Sequence, residues 1–514
     1  MLGVATCYAA IHWGSTVGGG ADSYGYVSQA GLWLQGRLSI QQDIVRASPW
    51  PLAAETWAPL GYRPDPREAD RIVPLYPPGL PIAMAMSQRI GGYCAAFLVV
   101  PICGFLTVLL TYALGRRWVA GSAVALAAAA LVATSPIFLY QLMNPMTDVP
   151  VTAMWTLAVF LAVRGEPLAS GLAAGAAILI RPNVAPVALA IAAWLIATRG
   201  RVWRFAIGVA PAVVAVAAVN RVLYGSPWTS GYGTAGDLYA IAHWRTNLSQ
   251  FADWIADTQT PIVVVAAFYF AIPWIVRDVR IPRPRLLAGG FIAATLASYL
   301  FYFPFDAWWY LRFLLPMWPI FMLLVAAAID AIVCRFVPRA ALAVFAIVVL
   351  ALAVNGLRVA RNRYAFDVGR AERRYVDVAR FVAGHTDPEA VMLSAQHSGT
   401  LRLYAGRLTL RYDQLDAAWL DRVVEFLRAN GRRPYFVLEG AEISAFTDRF
   451  GALNELGRLT WRPMARFSDP EIAIYDAVDR RSTDEPLAIA AAASRRAGWR
   501  CDPPYVWPTP LRMK

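Results

Sequence analysis

The chain has 514 residues, of which 58% are hydrophobic and 16% charged, and its mean hydropathy is +0.45. Soluble domains carry about 25% charged residues, so this composition excludes an ordinary water-soluble protein and indicates a membrane protein. The net charge of +13 comes almost wholly from arginine, since the single lysine is Lys514, and cytoplasmic loop charges with a GC-rich bacterial coding bias explain it better than nucleic-acid binding.

Apolar stretches long enough to cross a membrane recur down to residue 358, and a helical span needs about 20 such residues. We therefore expect a mainly α-helical, polytopic transmembrane bundle of about 11 spans. Two of the stretches form a pair that we expect to bend at Arg181-Pro182-Asn183. The predicted spans are 1–18, 92–114, 119–141, 148–164, 168–180, 184–198, 203–222, 261–276, 286–303, 313–333 and 339–358.

The first stretch, residues 1–18, is short for a span and has no basic flank. A signal peptide is one alternative, but no convincing small-residue cleavage site follows. A start site assigned too far downstream is another.

Arginine placement predicts the sidedness of the loops. The loop arginines fall in alternate short loops, which the positive-inside rule assigns to the cytoplasm. With an odd number of spans, loops 19–91 and 223–260 and everything after residue 359 lie outside. We therefore expect a multi-pass protein of the bacterial inner membrane whose Asp22 faces the periplasm or its equivalent. The arginines are Arg116, Arg117, Arg199, Arg201, Arg204, Arg277, Arg280, Arg283, Arg285, Arg335 and Arg339.

The sequence after the membrane part, 1–358, predicts a small extracytoplasmic α/β domain at about 365–478. The segments AVMLSAQHSGTLRLYAGR, RRPYFVLEG and EIAIYDAV are typical of β-strands bounded by turns. DAAWLDRVVEFLRANG predicts an amphipathic helix that ends at a C-cap glycine. Residues 479–514 are rich in Ala, Arg and Pro, and we expect them to be poorly ordered.

The five cysteines give no disulfide pattern. Cys7, Cys94, Cys103 and Cys334 lie in apolar stretches, which leaves Cys501 without an obvious partner. We therefore expect no disulfide framework.

Two acids lie where predicted spans meet the outer side of the membrane. Asp22 follows three glycines in STVGGGADSYGYVSQAGLWLQG, and Asp148 begins a span in QLMNPMTDVPVTAMW. Helix capping is one role for each, since Asp is a good N-cap residue. The alternative is that the two carboxylates converge on one site at the membrane surface, where Asp22 acts on a polar group that arrives from outside.

Two arginines lie at the outer edges of apolar segments, Arg181 in AILIRPNVAPVAL and Arg312 in DAWWYLRFLLPMWP. An arginine at the bilayer centre costs roughly 2.5–3.5 kcal/mol on insertion scales. Snorkelling to the interface is one explanation. Pairing with a phosphate is the more specific explanation, because a guanidinium can bind two phosphate oxygens at once. YPPGLP at 76–81 fixes a rigid entry into the membrane through its prolines, which turn chemistry alone also explains.

These motifs, in this order, resemble the GT-C superfamily of integral-membrane glycosyltransferases. The likeness is to the branch with protein O-mannosyltransferases, the aminoarabinose transferase of lipid A and lipopolysaccharide-core transferases, and it covers about residues 1–358. The motifs that carry it are Asp22, YPPGLP at 76–81, NPMTDVP at 144–150, IRPN at 180–183 and YLRFLLPMWP at 310–319.

The resemblance implies transfer of a sugar, with inversion, from a polyprenyl-phosphate-linked donor to an extracytoplasmic hydroxyl. The acceptor is a glycolipid, a cell-envelope polysaccharide or a protein. Asp22 matches the family's first-loop acid, which serves as base, and Asp148 joins it in the catalytic set. Arg181 and Arg312 are expected to bind the donor phosphate. The substrate-loop residues are Tyr76, Pro77, Pro78 and Asn183.

Two departures from the family pattern weaken the expectation of a protein acceptor and of a divalent metal ion. The chain has Asp22-Ser23 where protein O-mannosyltransferases have Asp-Glu, and Leu75-Tyr76 where the aminoarabinose enzyme has Glu-Lys. No cofactor is certain. His243 is the one histidine considered as a metal ligand, and a structural role among the aromatic residues of its loop is the alternative.

The rival class is a transporter or flippase of lipid-linked sugars. Transporters place ionisable groups near the bilayer centre, in broken helices and repeated halves. Here the acids lie at outer ends and no internal repeat is visible, so we favour the enzyme. A non-catalytic sensor would leave Asp22 and the two arginines unexplained. The expected partners are the lipid-linked donor, the acceptor and the bilayer, and no nucleic acid.

Overall fold

The computed structural model describes residues 1–119, 121–272, 279–468, 470–480, 487–489 and 501–505. The polypeptide forms a mainly helical membrane part that runs to Asn362, followed by a C-terminal part built on a β-sheet. Both the helical bundle and the strand-containing C-terminal part were expected from the sequence.

The membrane part combines long apolar helices with short connecting ones. Its α-helices are Leu2–Trp13, Asp22–Leu34, Ile44–Ala47, Ala53–Trp57, Gly79–Gly91, Val99–Trp118, Ser122–Ala133, Pro136–Leu142, Asp148–Val163, Pro167–Ile180, Val187–Ala197, Val202–Tyr224, Ala235–Leu238, Trp244–Gln259, Phe268–Ala271, Pro284–Leu300, Trp318–Phe336 and Ala341–Asn362. Its 3-10 helices are Tyr93–Leu98, Pro182–Val184, Ile241–His243, Pro261–Ala267, Trp308–Met317 and Pro338–Ala340.

Four helices in the described residues are long and apolar enough to cross a membrane, and two bent pairs raise that number to six. The long helices are Tyr93–Trp118, Val202–Tyr224, Trp308–Phe336 and Pro338–Asn362. The bent pairs are Ser122–Ala133 with Pro136–Leu142, and Ile241–Gln259 with Pro261–Ala271. Shorter apolar helices lie at three further predicted spans, namely Asp148–Val163, Pro167–Ile180 and Pro182–Ala197. Part of the predicted span 261–276 lies outside the described residues.

The predicted break at Arg181 is present. The helix Pro167–Ile180 ends at Arg181, whose backbone is extended with φ −149° and ψ 91°. Pro182 disfavours helical backbone in the residue before it and lacks the N–H that would continue the helix. Arg181 therefore leaves the helix axis at the end of a predicted span.

Neighbouring helices differ in how they use their apolar side chains. The helix Trp318–Phe336 is packed inside the bundle, with Leu323 and Leu324 fully buried. The helix Ala341–Asn362 exposes Leu342 and Leu350 instead, at 70% and 64%. Apolar side chains on an outer helix face lipid in a membrane, so the second helix forms part of the lipid-facing surface of the bundle.

The loop 19–91, which we predict to lie outside, has its own small core. Helices Asp22–Leu34 and Gly79–Gly91 pack on each other through a cluster that includes Tyr26, Leu80 and Met84. This packing holds the residues before the second helix against the start of the first. An antiparallel three-stranded sheet lies between them in the chain, in the order Ile40–Gln41, Arg71–Pro74 and Tyr62–Pro64.

The C-terminal part centres on a six-stranded mixed sheet. Its order is Leu408–Leu410, Val391–Leu393, Pro434–Glu439, Glu471–Asp476, Ala465–Ser468 and Leu487–Ile489. The α-helices are Val368–Glu372, Arg374–His385, Ser398–Thr400, Leu420–Ala429 and Ala441–Phe450, with a π-helix at Leu401–Ala405. The 3-10 helices are Ala365–Asp367, Tyr412–Gln414, Ala417–Trp419 and Leu456–Arg458.

The third strand of that sheet has buried residues on both faces. Phe436 packs in the cluster of the helix Leu420–Ala429, while Tyr435 and Val437 pack in the cluster of the helix Arg374–His385. Side chains alternate between the two faces of a strand, so a continuous apolar run is what a strand covered on both sides requires.

Cys501 forms a disulfide with Cys94, so the expectation of no disulfide was wrong. Cys94 belongs to the 3-10 helix Tyr93–Leu98 at the start of the predicted span 92–114, and that end of the span is the one predicted to lie outside. Its thiol can therefore meet a cysteine of the tail. Of the tail predicted to be poorly ordered, 481–486, 490–500 and 506–514 lie outside the described residues.

Candidate active site

Asp22 is the first residue of the helix Asp22–Leu34, and only Ala21 separates it from the three glycines. The N-cap position is Ala21, so Asp22 does not cap the helix. Tyr76 Oη donates a hydrogen bond to Asp22 Oδ1 at 2.7 Å, and Arg312 Nη2 donates one to Oδ2 at 3.1 Å. The side chain of Asp22 is 32% exposed, so its carboxylate is held on one side and open on another.

Asp148 begins the helix Asp148–Val163 but is not its cap, because Thr147 occupies the N-cap position. The side chain of Asp148 is fully buried. Arg181 Nη2 donates to Asp148 Oδ1 at 2.6 Å and to Thr147 Oγ1 at 2.7 Å. The break before Pro182 directs Arg181 to this acid, and a charge-assisted bond compensates the burial of both groups.

The two acid–arginine pairs form one site. Tyr26 lies one helical turn after Asp22, within electrostatic range of Asp22, Asp148 and Arg181. Arg312 is likewise within range of Asp148 and Arg181 as well as its own partner. The four residues that the sequence singled out as catalytic or phosphate-binding are therefore neighbours in the fold.

Arg312 is held by the protein rather than extended toward the membrane surface. It belongs to the 3-10 helix Trp308–Met317, and its side chain is 14% exposed. The guanidinium carbon lies 5.1 Å from the ring centroid of Tyr310 and 5.6 Å from that of Phe313. Cation–π contacts and the bond to Asp22 keep the cation next to the site, in place of the snorkelling alternative.

Each arginine of the site retains a free hydrogen-bond donor. Among the described residues, Arg181 Nη1 and Arg312 Nε are buried and have no hydrogen-bond partner. The same holds for Asp148 Oδ2. Unpaired buried polar atoms are rare in folded proteins, and at a polar site such atoms are free to bind a ligand or water. Two unpaired guanidinium nitrogens match an anion with several acceptor oxygens.

Tyr76 is the residue of YPPGLP that reaches Asp22. Its ring packs against the rings of Tyr26 and Tyr232, with centroid distances of 4.5 Å and 5.9 Å. Burial raises the pKa of Tyr76 well above its ordinary value, and the charge of Asp22 raises that pKa further. The phenol therefore keeps its proton and acts as a donor to the carboxylate.

The remaining substrate-loop residues border these pairs along the chain. Pro78 is the N-cap of the helix Gly79–Gly91, with Pro77 just before it, so the prolines set the direction in which the chain leaves Tyr76. Asn183 lies in the 3-10 helix Pro182–Val184, two residues after Arg181.

His243 has aromatic and backbone neighbours. Its Nδ1 lies 3.4 Å from the carbonyl oxygen of Phe301, and its ring stands edge-on to Phe303 at 6.0 Å. In the described part of the chain, no group of three or more His, Cys, Asp or Glu side chains converges to hold a metal ion.

Three residues of the site were not singled out in the sequence, namely Tyr26, Thr147 and Tyr299, the last of which lies beside Arg181. Tyr26 carried a usable signal, since it lies four residues after Asp22 and thus on the same helix face. Thr147 directly precedes Asp148 in the chain. Tyr299 lies in an apolar span, where a tyrosine gives no signal by its spacing.

Comparison with known proteins bears on the fold. A family model described as dolichyl-phosphate-mannose-protein mannosyltransferase matches residues 76–224, less than a third of the chain. The crystal structure of ArnT from Cupriavidus metallidurans bound to undecaprenyl phosphate superposes with a TM-score of 0.58 at 14% identity, over 93% of this chain and 97% of that one. The chain has the GT-C fold.

A second GT-C structure agrees. The archaeal oligosaccharyltransferase AglB from Archaeoglobus fulgidus, in complex with an inhibitory peptide and a dolichol-phosphate, gives a TM-score of 0.53 at 12% identity. It covers 89% of this chain and 71% of that one. No curated protein sequence matches the chain significantly. The match to the family model includes Tyr76, Asp148 and Arg181, while Asp22 and Arg312 lie outside it.

Proposed function

We propose that this GT-C protein is a membrane glycosyltransferase that moves a sugar from a polyprenyl-phosphate-linked donor to a hydroxyl of an extracytoplasmic acceptor. One observation carries the proposal: a single site unites two carboxylates with two arginines that have unpaired N–H groups. Sugar transfer from a lipid phosphate needs a proton acceptor and an anion site. The similar structures of ArnT and AglB, solved with undecaprenyl phosphate and dolichol-phosphate, support a lipid-phosphate ligand.

In this proposal Arg181 and Arg312 bind the donor phosphate. Each already donates to an acid through Nη2, which leaves Arg181 Nη1 and Arg312 Nε for phosphate oxygens. Negative charge on the leaving phosphate grows as the glycosidic bond breaks, so fixed cations stabilise the transition state more than the ground state. The two acids keep the arginines oriented before the lipid arrives.

Asp22 serves as the base. Tyr76 and Arg312 each engage one of its oxygens, but a carboxylate has about four acceptor positions, so it can still take the proton of an acceptor hydroxyl. Asp148 is fully buried, whereas the side chain of Asp22 is 32% exposed, so Asp22 is the acid that an acceptor can reach. Attack on the anomeric carbon from the face opposite the phosphate inverts its configuration.

The proposed location is the bacterial inner membrane, with the site on the extracytoplasmic side. The alternation of arginine-rich loops supports that orientation. The disulfide between Cys94 and Cys501 supports it independently, because disulfides persist in oxidising compartments. The acceptor class stays as wide as glycolipid, cell-envelope polysaccharide or protein.

A transfer assay tests the proposal. The purified full-length protein is reconstituted with undecaprenyl-phosphate-linked sugars that carry a radiolabel, together with an extract of envelope acceptors. We expect labelled product and release of undecaprenyl phosphate, both lost in Asp22→Asn. A transporter or flippase would instead move the labelled lipid across proteoliposome membranes without forming product, and that result would replace the proposal.

A further inference from the structure

The triglycine segment before Asp22 is clamped by the C-terminal part of the protein. The backbone N–H of Gly18 donates a hydrogen bond to Tyr404 Oη at 2.9 Å. A Cβ atom on Gly19 would lie 2.1 Å from Glu372 Oε2 and 2.5 Å from the ring of Tyr375. No side chain fits in that space, so glycine is required for this contact.

The conformation of Gly20 completes the contact. Its φ of +58° lies in the left-handed region, which glycine adopts without strain. A Cβ there would lie 3.4 Å from Gln396 Nε2 and 3.5 Å from Tyr375 Oη, so its backbone touches the same surface. Gln396 Nε2 itself donates to Tyr375 Oη at 2.8 Å, which fixes that surface. The triglycine segment, which serves as the hinge before Asp22, has little stiffness of its own, so these contacts determine its position.

A disulfide-bonded strap holds Tyr404 in turn. The strap consists of residues 501–505, tied to the membrane part by the bond between Cys94 and Cys501. Next to one end of the bond, Tyr93 Oη lies 3.0 Å from Tyr404 Oη. Near the other end, the N–H of Tyr505 donates to the carbonyl oxygen of Leu403 at 2.7 Å.

Salt bridges hold the strap at the residue after Cys501. Asp502 pairs with Arg373 at 2.9 Å, and also with Arg380. Both arginines belong to the segment that leads into and forms the helix beside the clamp. The strap therefore connects the start of a membrane span to the C-terminal part. Its contacts lie on both sides of Tyr404, which in turn bonds the triglycine segment before Asp22.

We propose that Tyr404 is a positioning residue for Asp22, and that the Cys94–Cys501 strap holds Tyr404 in place for that purpose. The inference rests on the proposed role of Asp22 as base. Asp22 lies four positions after Gly18, so a shift of the Gly18 backbone moves the carboxylate relative to the acceptor. A misplacement of about 1 Å at a reacting group can cost about 100-fold in rate.

The decisive variant is Tyr404→Phe, which keeps the ring and removes the acceptor of the Gly18 N–H. We expect kcat to fall about tenfold while KM for the lipid donor and the thermal midpoint stay near wild type. Hydrogen–deuterium exchange supplies a second readout. Uptake in a peptide that covers residues 15–26 is expected to rise in Tyr404→Phe, since the hinge loses a fixed contact.

A matched control is Tyr475→Phe, which also removes one tyrosine hydroxyl from the C-terminal part. The hydroxyl of Tyr475 interacts with Arg466 on the neighbouring strand, and its ring packs in the cluster of the helix Leu420–Ala429. We expect wild-type kcat and wild-type exchange in residues 15–26. The paired variant Cys94→Ser with Cys501→Ser removes only the disulfide that ties the strap to the membrane part, and we expect smaller kcat and exchange changes of the same kind as in Tyr404→Phe.

Separate results overturn separate statements. Wild-type kcat in Tyr404→Phe, or a loss equal to that of Tyr475→Phe, would overturn the positioning role. Wild-type kcat and exchange in the paired serine variant would overturn the role of the strap. Full transfer in Asp22→Asn would overturn the proposed function itself, whatever Tyr404→Phe does.

Discussion

The site contains two acid–arginine pairs of the same chemistry in different surroundings. In the pair of Asp148 and Arg181 the acid is fully buried and the arginine side chain is 12% exposed. In the pair of Asp22 and Arg312 the acid is 32% exposed. The first pair also bonds Thr147 at a helix start, whereas the second follows a glycine hinge.

The difference separates two roles that the sequence could not distinguish. A fully buried carboxylate with an arginine bound is costly to disturb and unreachable for an acceptor, which suits a fixed electrostatic element. A half-open carboxylate on a hinge can exchange protons with a group from outside. The difference in burial supports our proposal that Asp22 is the base and that Asp148 has a supporting electrostatic role.

The largest expected effect is the loss of activity in Asp22→Asn. The substitution keeps the shape and removes the base, so kcat should fall by roughly 10²–10⁴-fold with little change in thermal stability. Asp148→Asn serves as the comparison and should lower stability more and kcat less. A transfer assay and a thermal melt on both purified variants make the check. Equal kcat losses with unchanged melting would contradict the division of roles.

Stability should respond in the opposite order. Arg181→Ala leaves Asp148 as an unpaired buried charge, and breaking a buried pair costs about 3–5 kcal/mol in free energy of unfolding. Arg312→Ala leaves a carboxylate that is partly solvated, so its cost should stay near about 1 kcal/mol. Denaturant unfolding in detergent measures both.

Arg164→Ala is the matched control for these arginine variants. It breaks an ion pair with Glu166 in which both side chains are 43% exposed. We expect little change in either the free energy of unfolding or transfer. Both Arg181→Ala and Arg312→Ala should also lower transfer by orders of magnitude, and near-normal rates in both would return the two arginines to structural roles.

The smallest effect should come from Tyr76→Phe. The ring stays packed against Tyr26, and only the 2.7 Å hydrogen bond to Asp22 is lost. A hydrogen bond to a charged group is worth about 1.5–3 kcal/mol, so its loss changes a rate by roughly ten- to a hundredfold. Tyr26→Phe is the control, because the Tyr26 hydroxyl makes a long hydrogen-bond contact of 3.4 Å, and makes it with Thr147 rather than with Asp22. A larger loss of transfer rate in Tyr26→Phe than in Tyr76→Phe would contradict this prediction. It would show that the more important phenol is the one next to the buried pair of Asp148 and Arg181.

The sequence predicted the four charged residues of the site but not their pairing, and it did not single out Tyr26, Thr147 or Tyr299. Apolar runs and proline placement located Arg181 at a span end, and the motif around Asp148 put an acid at another. Nothing local indicates that Arg312 contacts an acid 290 residues away, because that contact depends on how the helices pack.

Two further features, the packing around Gly19 and the disulfide of Cys94, could not be predicted from the sequence. The three glycines before Asp22 are plain in the sequence, but the surface that requires Gly19 comes from residues more than 350 positions later. Cys94 lies in an apolar stretch and was interpreted as part of a span, whereas only the three-dimensional arrangement shows that its end of the helix meets Cys501. In both cases the contact is made by a segment that is distant in the chain, and the local sequence pattern cannot indicate such a contact.

In the proposed orientation, with the C-terminal part outside the membrane, the bond between Cys94 and Cys501 also sets the order in which the protein matures. The two cysteines are 407 residues apart, so the bond can close only after nearly all of the chain has left the ribosome and Cys501 has crossed the membrane. Thiols stay reduced in the cytoplasm, so closure cannot precede export. A chain whose C-terminal part stalls inside the cell can insert its spans yet lacks the bond, which makes completed translocation the last step before the hinge of Asp22 is secured.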